Sequence, residues 1–428
     1  MDSSVKAQRV LDRLPEGGLF AGQQWRIAPD PFPLEKEFAR ELAQLGRILH
    51  TFYKAADLLY RHSLAGKTPR WVAEWLERGK PKSVIQLQRN EAFKTALPRV
   101  IRPDILLTVD GWHITELDSV PGGIGLTGWL NEAYLGTIGG VNGMLDGFAS
   151  IFTENGNVHL MISEESETYR PEMEWLAHKL GPRFKVRNAD YTDFSEGDSV
   201  YRFFELFDLP NIRAAGALFE NARNKLIQVT APPKSHLEEK MLFALFWNRN
   251  LQEFWQQELG GKFMRKLKEV IPRTWTIDPT PIPPHAAIPG LNLTNWHQLA
   301  KLSQKERQLI LKLSGFNEKA WGARSIRFGA DLSQANWAES VEQAISEFEH
   351  SPWILQQYEK PRVVQHDWFD FDSGTPVSMK GRVRLCPYYF VHGENDINLG
   401  GVLATICPAD KKIIHGMRDA ILAPCTSR

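Results

Sequence analysis

Residues 102–125 contain the pattern that most constrains how this chain can fold. Two short apolar segments flank an Asp-Gly dipeptide at 110–111, which favours a tight hairpin turn. Because side chains two positions apart in a strand point the same way, Asp104, Glu116 and Asp118 can share one face of the hairpin. Three carboxylates on one face repel each other unless a cation lies among them, and Mg²⁺ prefers such oxygen ligands. The pattern predicts either a magnesium site or a solvated surface hairpin followed by a glycine-rich turn.

A second pattern lies at residues 308–329, where the apolar segment Leu309–Leu313 predicts a strand that carries one lysine, Lys312. A lysine inside an apolar strand is costly unless its charge meets a partner. A loop with Gly315 and Gly322 follows, and loop amides could cover a nucleotide phosphate that the lysine holds. The segment is not a Walker A loop, since no Gly-Lys-Ser/Thr opens a helix here, and it is not a Rossmann fingerprint. The alternative is an edge strand with an outward lysine and an ordinary loop.

Arginines in the C-terminal third are candidates for binding an oxyanion. Residues 380–390 alternate strongly, which predicts a strand with Arg382 and Arg384 on one face. A guanidinium group matches phosphate or carboxylate with two parallel hydrogen bonds, and we take Arg384 as a candidate catalytic residue. Arg324 lies in the glycine loop, where it could clamp a phosphate or be an exposed arginine without a specific role.

The order of these patterns resembles that of the ATP-grasp superfamily, in the circularly permuted arrangement of glutathionylspermidine-synthetase-like proteins. There, an acidic hairpin with Glu-x-Asn/Asp and Pro-Gly-Gly comes early, and a lysine strand, a glycine loop and an adenine hinge come late. Residues 116–123 look like the first element, Lys312 with residues 314–324 looks like the second, and residues 355–358 look like the hinge. Many relatives have Asn where this chain has Asp118.

The resemblance implies an α/β fold of the ATP-grasp type, circularly permuted, with mixed sheets and a preceding Rossmann-like parallel-sheet subdomain. It places residues 100–125 and 380–405 in one sheet and brings Glu116 and Lys312 into a shared cleft. It also implies ATP and Mg²⁺ as cofactors, with Asp104, Glu116 and Asp118 as the metal ligands. The implied catalytic residues are Arg384 and Arg324, and the implied nucleotide-binding residues are Lys240, Lys312, Gly315, Gly322, Gln356, Gln357 and Tyr358. For Lys240 the alternative is a solvated lysine on a helix.

The reaction that the resemblance implies joins a small-molecule carboxylate to an amine at the expense of ATP. The carboxylate attacks the γ-phosphate to give an acyl phosphate and ADP, and the amine then displaces phosphate to give an amide. Two alternatives remain. One is a non-catalytic nucleotide-binding or scaffold protein that retains the fold, and the other is an enzyme that phosphorylates a small molecule without ligation.

Composition favours a globular, cytoplasmic protein. The 428 residues include 51 basic and 51 acidic residues, which gives no electrostatic reason to expect a nucleic acid or membrane partner. We see no apolar stretch long enough to span a bilayer, and the first thirty residues lack the apolar core of a signal peptide. Three cysteines in no metal-ligand spacing favour a reducing compartment. Cys386 and Cys407 are interpreted as core residues, and Cys425 could be a reactive thiol.

Helix and strand patterns divide the chain into four segments. A helix is predicted at 34–62 and another at 237–255. A strand at 158–163, a helix from Pro171 and a strand at 184–187 predict a βαβ unit with a parallel sheet. The four segments are 1–150 (helical region and acidic hairpin), 151–235 (Rossmann-like subdomain), 236–300 (helical segment and proline-rich connector) and 301–428 (lysine strand, glycine loop and C-terminal strands).

Overall fold

The protein is described by a computed structural model that covers residues 2–19, 25–283, 286–320, 324–394, 396–414 and 419–428. The chain forms two compact units, each built from segments that are not contiguous in sequence. The first unit comprises Met1–Thr51, Asn90–Pro232 and Lys360–Arg428, and the second comprises Phe52–Arg89 and Pro233–Glu359. The four-segment division expected from the sequence follows chain order and stays a prediction.

Helices and strands are mixed along the described residues, as expected for an α/β protein. The helices are α1 (Ser3–Leu11), α2 (Lys36–Leu64), α3 (Trp71–Glu77), α4 (Lys82–Gln88), α5 (Ile124–Ala133), α6 (Gly143–Ser150), α7 (Arg170–Leu180), α8 (Ala215–Arg223), α9 (Met241–Trp247), α10 (Gln252–Val270) and α11 (Gln334–Ser346). The strands are β1 (Phe32–Leu34), β2 (Val100–Thr108), β3 (Gly111–Asp118), β4 (Val158–Ile162), β5 (Phe184–Asn188), β6 (Ser199–Phe203), β7 (Gln228–Thr230), β8 (Thr274–Thr276), β9 (Leu309–Leu313), β10 (Arg327–Phe328), β11 (Trp353–Gln357), β12 (Val363–Asp370), β13 (Thr375–Gly393), β14 (Asp396–Pro408) and β15 (Ile421–Ser427). None of the described helices is long and apolar enough to cross a membrane.

The larger sheet of the first unit has seven strands in the order β1-β15-β14-β13-β2-β3, with β12 paired to β13. Strands β2 and β3 form the hairpin expected around the Asp-Gly dipeptide, and the register places Thr108 beside Gly111. Strand β13 lies antiparallel to β2, with Arg384 beside Leu106. The prediction that residues 100–125 and 380–405 share a sheet is therefore confirmed.

The smaller sheet of the first unit has the order β5-β4-β6-β7, and all of its strands are parallel. Helix α7 connects β4 to β5, and Pro171 lies in its first turn, where the missing backbone N–H is not needed. The predicted βαβ unit is thus confirmed. One hydrophobic core joins this sheet to the helices and to the seven-stranded sheet, with Leu160, Met173, Phe148 and Phe390 fully buried in it.

The second unit contains a four-stranded sheet in the order β10-β9-β11-β8, antiparallel throughout. Alternation divides its two faces. Leu311 on β9 and Leu355 on β11 pack with Trp337 of α11 in a hydrophobic core, and Lys312 and Gln356 point to the other face. The strand expected at Leu309–Leu313 is confirmed.

Two expectations from the sequence are corrected by the structure. The helix predicted at 237–255 is broken, because Asn248 adopts an extended conformation and its side chain accepts from the N–H of Asn250. At the other end, α9 begins only at Met241, so Lys240 is the residue that precedes the helix and does not lie on an exposed helix face. The suggestion that Cys425 is a reactive thiol is wrong, because this side chain is buried and burial raises its pKa.

Candidate functional site

Charged side chains concentrate on one face of β2, β3 and β13, where Asp104 is buried and the others are half-buried. We call the five residues the hairpin cluster: Arg102, Asp104, Glu116, Asp118 and Arg384. Arg102 Nη2 lies 3.2 Å from Asp104 Oδ1 and 3.1 Å from Asp118 Oδ2. Arg384 Nη1 lies 3.0 Å from Asp104 Oδ2. Each carboxylate oxygen of Asp104 therefore faces a guanidinium group, and Arg102 links two of the three predicted metal ligands.

The strand register explains why these side chains meet. Asp104 lies opposite Glu116, and Arg102 lies opposite Asp118. Residues that face each other across two strands project to the same side of the sheet, so the three carboxylates share a face as the sequence predicted. Sequence reasoning missed Arg102, although its position two residues before Asp104 already placed it on that face.

Electrostatics within the hairpin cluster favour charged guanidinium groups. Burial lowers the pKa of Arg102, but the carboxylates of Asp104 and Asp118 outweigh burial and raise that pKa well above its ordinary value. Burial raises the pKa of Asp118, and the negative charges of Glu116 and Asp104 add to this effect while Arg102 opposes it. Asp118 Oδ1 also accepts from the N–H of Val120 at 2.8 Å. Nearby positive charge therefore stabilises the ionised carboxylates of this cluster.

The donor set of the hairpin cluster fits Mg²⁺ in chemistry, since carboxylate oxygens are its preferred protein ligands. In the present arrangement Arg102 and Arg384 supply the positive charge, and among the described residues no group of three or more His, Cys, Asp or Glu side chains is arranged to hold a metal ion. A cation at Asp104 or Asp118 would have to replace one of these ion pairs. The assignment of Asp104, Glu116 and Asp118 as metal ligands stays a prediction.

The glycine pair after β3 allows two tyrosines to approach the backbone. Tyr388 Oη donates to the carbonyl of Gly122 at 2.8 Å, and a Cβ built on Gly122 would lie 2.3 Å from Cε1 of Tyr169. Gly123 has a φ of +90°, a conformation that other residues rarely adopt, and a Cβ there would lie 2.4 Å from Tyr388 Oη. Side chains of the protein itself therefore lie against the backbone of this turn.

Glu172 of α7 holds the start of α5, the helix that follows this turn. Its Oε1 accepts from the N–H of Gly123 at 2.7 Å, and its Oε2 accepts from the N–H of Leu126 at 2.9 Å. The side chain is fully buried, and burial raises its pKa to about 7, although the backbone donors oppose this effect. Sequence reasoning missed Glu172, because the contact joins two helices whose packing no local pattern reveals.

In the second unit, Lys312 heads a buried polar row on the face of the sheet opposite the apolar core. Its ammonium lies 2.8 Å from Gln356 Oε1, and Gln356 Nε2 lies 3.2 Å from Thr274 Oγ1. Lys312 is 5% exposed and Gln356 is 1% exposed, so this row is held away from bulk water. The Gln356 amide is therefore a polar partner of the buried lysine, and the phosphate partner expected from the sequence stays a prediction.

The start of the glycine loop is fixed to the segment before α9. Ser314 donates to Glu239, and a Cβ built on Gly315 would lie 2.7 Å from Glu239 Oε2, so a larger side chain would displace this contact. Lys240 Nζ donates to the carbonyl of Ala320 at 2.9 Å. Lys80 Nζ lies 2.7 Å from Glu239 Oε1 in a buried ion pair.

The other residues proposed from the sequence belong to the glycine loop and to the predicted adenine hinge at 355–358. Gly322 lies outside the described residues, and Arg324 is exposed, with its Nη1 3.5 Å from the carbonyl of Glu318. The N–H of Gln357 donates to the carbonyl of Arg273 at 2.8 Å, and the N–H of Tyr358 donates to that of Gln308 at 3.0 Å. These two amides are engaged within the protein, so the adenine-hinge assignment stays a prediction. Glu116 and Lys312 belong to different units, and their shared cleft also stays a prediction.

Comparisons with known proteins support the fold alone. No family model and no curated protein sequence matches the chain. A glutathione synthetase-like effector from Globodera pallida, solved in the apo form, matches with a TM-score of 0.56 and 10% identity, over 100% of this chain and 98% of that chain. A putative gamma-glutamylcysteine synthetase from Methylobacillus flagellatus KT matches with 12% identity over 79% of this chain and 82% of that chain, but its TM-score of 0.39 is too low to inform the fold. The chain therefore has a mixed α/β fold that it shares with a glutathione synthetase-like protein.

Proposed function

We propose that the protein is an ATP-dependent carboxylate–amine ligase of the circularly permuted ATP-grasp type, which forms ADP through an acyl phosphate. The observation that carries the proposal is the hairpin cluster, in which three carboxylates and two arginines share one face of a sheet. Buried charges are costly, and such clusters are concentrated at sites that bind or transform charged ligands. The likeness in fold to a glutathione synthetase-like protein supports the same reaction class.

The residues of the second unit would bind the nucleotide. Lys312, buried beside Gln356, would hold a phosphate oxygen, and Lys240 would add a second positive charge at the glycine loop. The loop that begins at Gly315 would cover the phosphates and exclude water, which otherwise hydrolyses an acyl phosphate. Gln357 and Tyr358 would contact the edge of the adenine ring. They would do so through groups other than their backbone N–H groups, which already form hydrogen bonds within the protein.

The residues of the first unit would neutralise the negative charge of the reacting groups. Mg²⁺, held by Asp104, Glu116 and Asp118, would neutralise phosphate charge during transfer. The guanidinium of Arg384 would pair with the substrate carboxylate or with the transferred phosphate. Arg324, in the glycine loop of the second unit, would clamp a phosphate. Arg102 would also belong to this site, because its guanidinium group pairs with both Asp104 and Asp118.

A non-catalytic nucleotide-binding or scaffold protein is the second candidate. The observation in its favour is that Arg102 and Arg384 form ion pairs with Asp104 and Asp118. Part of the negative charge of the hairpin cluster is therefore balanced without a ligand. Phosphorylation of a small molecule without ligation would use the same residues.

One assay separates these candidates. The protein is incubated with Mg·ATP and pooled carboxylic acids, with and without pooled amines, and ADP is measured. Hydroxylamine is added in a parallel reaction, because it converts an acyl phosphate into a stable hydroxamate. A ligase gives ADP and hydroxamate in the presence of its acid, and an amide once the amine is added. A kinase gives a stable phosphorylated product without hydroxamate, and a scaffold protein gives neither ADP nor product.

A further inference from the structure

Two cations of the second unit lie on a pair of tryptophan rings outside the site described above. Lys268 Nζ lies 3.8 Å from the centre of the Trp247 ring, and Arg273 Cζ lies 5.9 Å from the same centre. Arg273 Cζ also lies 5.6 Å from the centre of the Trp275 ring. We call Trp247, Lys268, Arg273 and Trp275 the tryptophan cradle.

The cradle is held in place by contacts of the indole rings. Trp247 Nε1 donates to the carbonyl of Ile271 at 3.2 Å, and Trp275 Nε1 donates to the carbonyl of Pro289 at 2.9 Å. A Cβ built on Gly290 would lie 2.4 Å from Nη1 of Arg273, so this position leaves room for the guanidinium group. Hydrogen bonds therefore hold both rings in place beside the two cations.

The positive charge of the cradle lacks an anion. Within the described part of the chain, neither Lys268 nor Arg273 forms a side-chain ion pair or hydrogen bond with a carboxylate. Burial, and to a smaller extent the neighbouring charge of Arg273, lowers the pKa of Lys268 to about 8. The position of Lys268 in the last turn of α10 suits the helix dipole, but that explanation does not extend to Arg273.

We propose that the tryptophan cradle binds a small dianion of the phosphate class, such as a phosphate monoester. Two unpaired positive charges match two negative charges, whereas a single carboxylate would leave one cation without a partner. The planar guanidinium would donate two parallel hydrogen bonds, and the ammonium would add a third donor. The aromatic platform stabilises the cations while the site is empty.

The cradle is distinct from the proposed nucleotide site. The register places Trp275 opposite Leu355, whose side chain packs in the apolar core, whereas Thr274 and Gln356 lie on the face that carries Lys312. Because adjacent strand residues point to opposite faces, Trp275 points away from the Lys312 row. A phosphate in the cradle therefore does not replace a phosphate held by Lys312.

The test is calorimetric titration of the full-length protein with sodium phosphate at pH 7, with ionic strength held constant by chloride. Arg273→Met and Lys268→Met should each weaken binding by about tenfold or more, as expected for the loss of a charge-assisted hydrogen bond. Lys262→Met, an exposed cation on the same helix, and Lys312→Met in the proposed nucleotide site should leave this binding unchanged. Acetate should bind more weakly than phosphate.

Three results would overturn the proposal. They are an absence of phosphate binding by the wild type, an equal loss in Lys262→Met, and a loss confined to Lys312→Met, which would assign the anion to the nucleotide site. A second experiment uses only the wild-type protein, so its result does not depend on whether a variant folds. Crystals soaked in tungstate, a heavy tetrahedral dianion, should show an anomalous peak between Lys268 and Arg273, and a protein without ligase activity should show it equally.

Discussion

Arg384 Nη1 donates to Asp104 Oδ2 at 3.0 Å, although 280 positions separate the two residues in the sequence. The contact joins β13 to the acidic hairpin in the middle of the seven-stranded sheet. Because Arg102 takes the other oxygen of Asp104, the pair belongs to a network whose members depend on each other.

Arg384→Met is expected to lower the free energy of unfolding by about 2–3 kcal/mol, since it leaves the buried carboxylate of Asp104 with one guanidinium fewer. Urea denaturation measures the loss. Arg382→Met is the matched control, because Arg382 lies on the same strand and donates to the carbonyl of Lys411 and not to a carboxylate. The added substitution Asp104→Leu should restore part of the lost stability, and equal losses for both single arginine variants would contradict this account.

Glu116→Gln is expected to abolish ADP formation while the protein stays folded. Glu116 lies opposite Asp104, so its neutralisation removes a proposed metal ligand and also relieves repulsion among carboxylates. Loss of a group that stabilises transition-state charge should raise the barrier by roughly a few kcal/mol. ADP release measured beside a thermal melt tests both statements. A solvated hairpin would instead give full activity and a change in stability within about half a kcal/mol, which would show that the metal site is misplaced.

ATP binding is expected to depend on Mg²⁺ and on Lys312. Lys312→Met keeps the length of the side chain but removes the buried charge, and should weaken ATP binding by about tenfold or more. Lys305→Met, an exposed lysine just before the same strand, is the control and should bind ATP like the wild type. Calorimetry with ATP, with and without Mg²⁺, provides the measurement. No binding by the wild type at millimolar ATP would count against the nucleotide site as a whole.

Glu172 is expected to make stability depend on pH. Its pKa is raised from 4.5 to about 7 by burial, so the stabilisation that it contributes is fully present below pH 4.5 and is lost as the pH rises through 7. The loss should amount to about 3 kcal/mol. Urea denaturation at pH 5 and at pH 8 should show a smaller difference in Glu172→Gln than in the wild type. Glu174→Gln, an exposed position on the same helix, should keep the wild-type difference.

Local patterns in the sequence predicted much of the fold. The Asp-Gly dipeptide indicated the β2–β3 hairpin, Pro171 marked the start of α7, and apolar residues marked β9. The break between α9 and α10 was missed, because it depends on one side chain, Asn248, that caps the following turn. Helical periodicity on both sides of that residue is compatible with one continuous helix.

The candidate site could be predicted only in part. Carboxylates two positions apart indicated a shared face, but the place of Arg102 among them follows from the register of two strands, which includes an irregularity between Asp104 and Ile105. The partner of Lys312 depends on how β9 and β11 align, and Glu172 reaches Gly123 from another helix. Such contacts arise from tertiary packing, which no local sequence pattern specifies.

Strand β1, near the N-terminus, pairs in parallel with β15, the last strand, with Phe32 beside Cys425. During translation the segments of the second unit are complete once residue 359 has emerged, whereas β1 and β14 must wait for residues 421–427. Until residues 421–427 have been synthesised, one edge of β1 and one edge of β14 therefore lack their partner strand, and unpaired strand edges favour aggregation. A premature stop codon that removes β15 would leave both edges permanently open to aggregation.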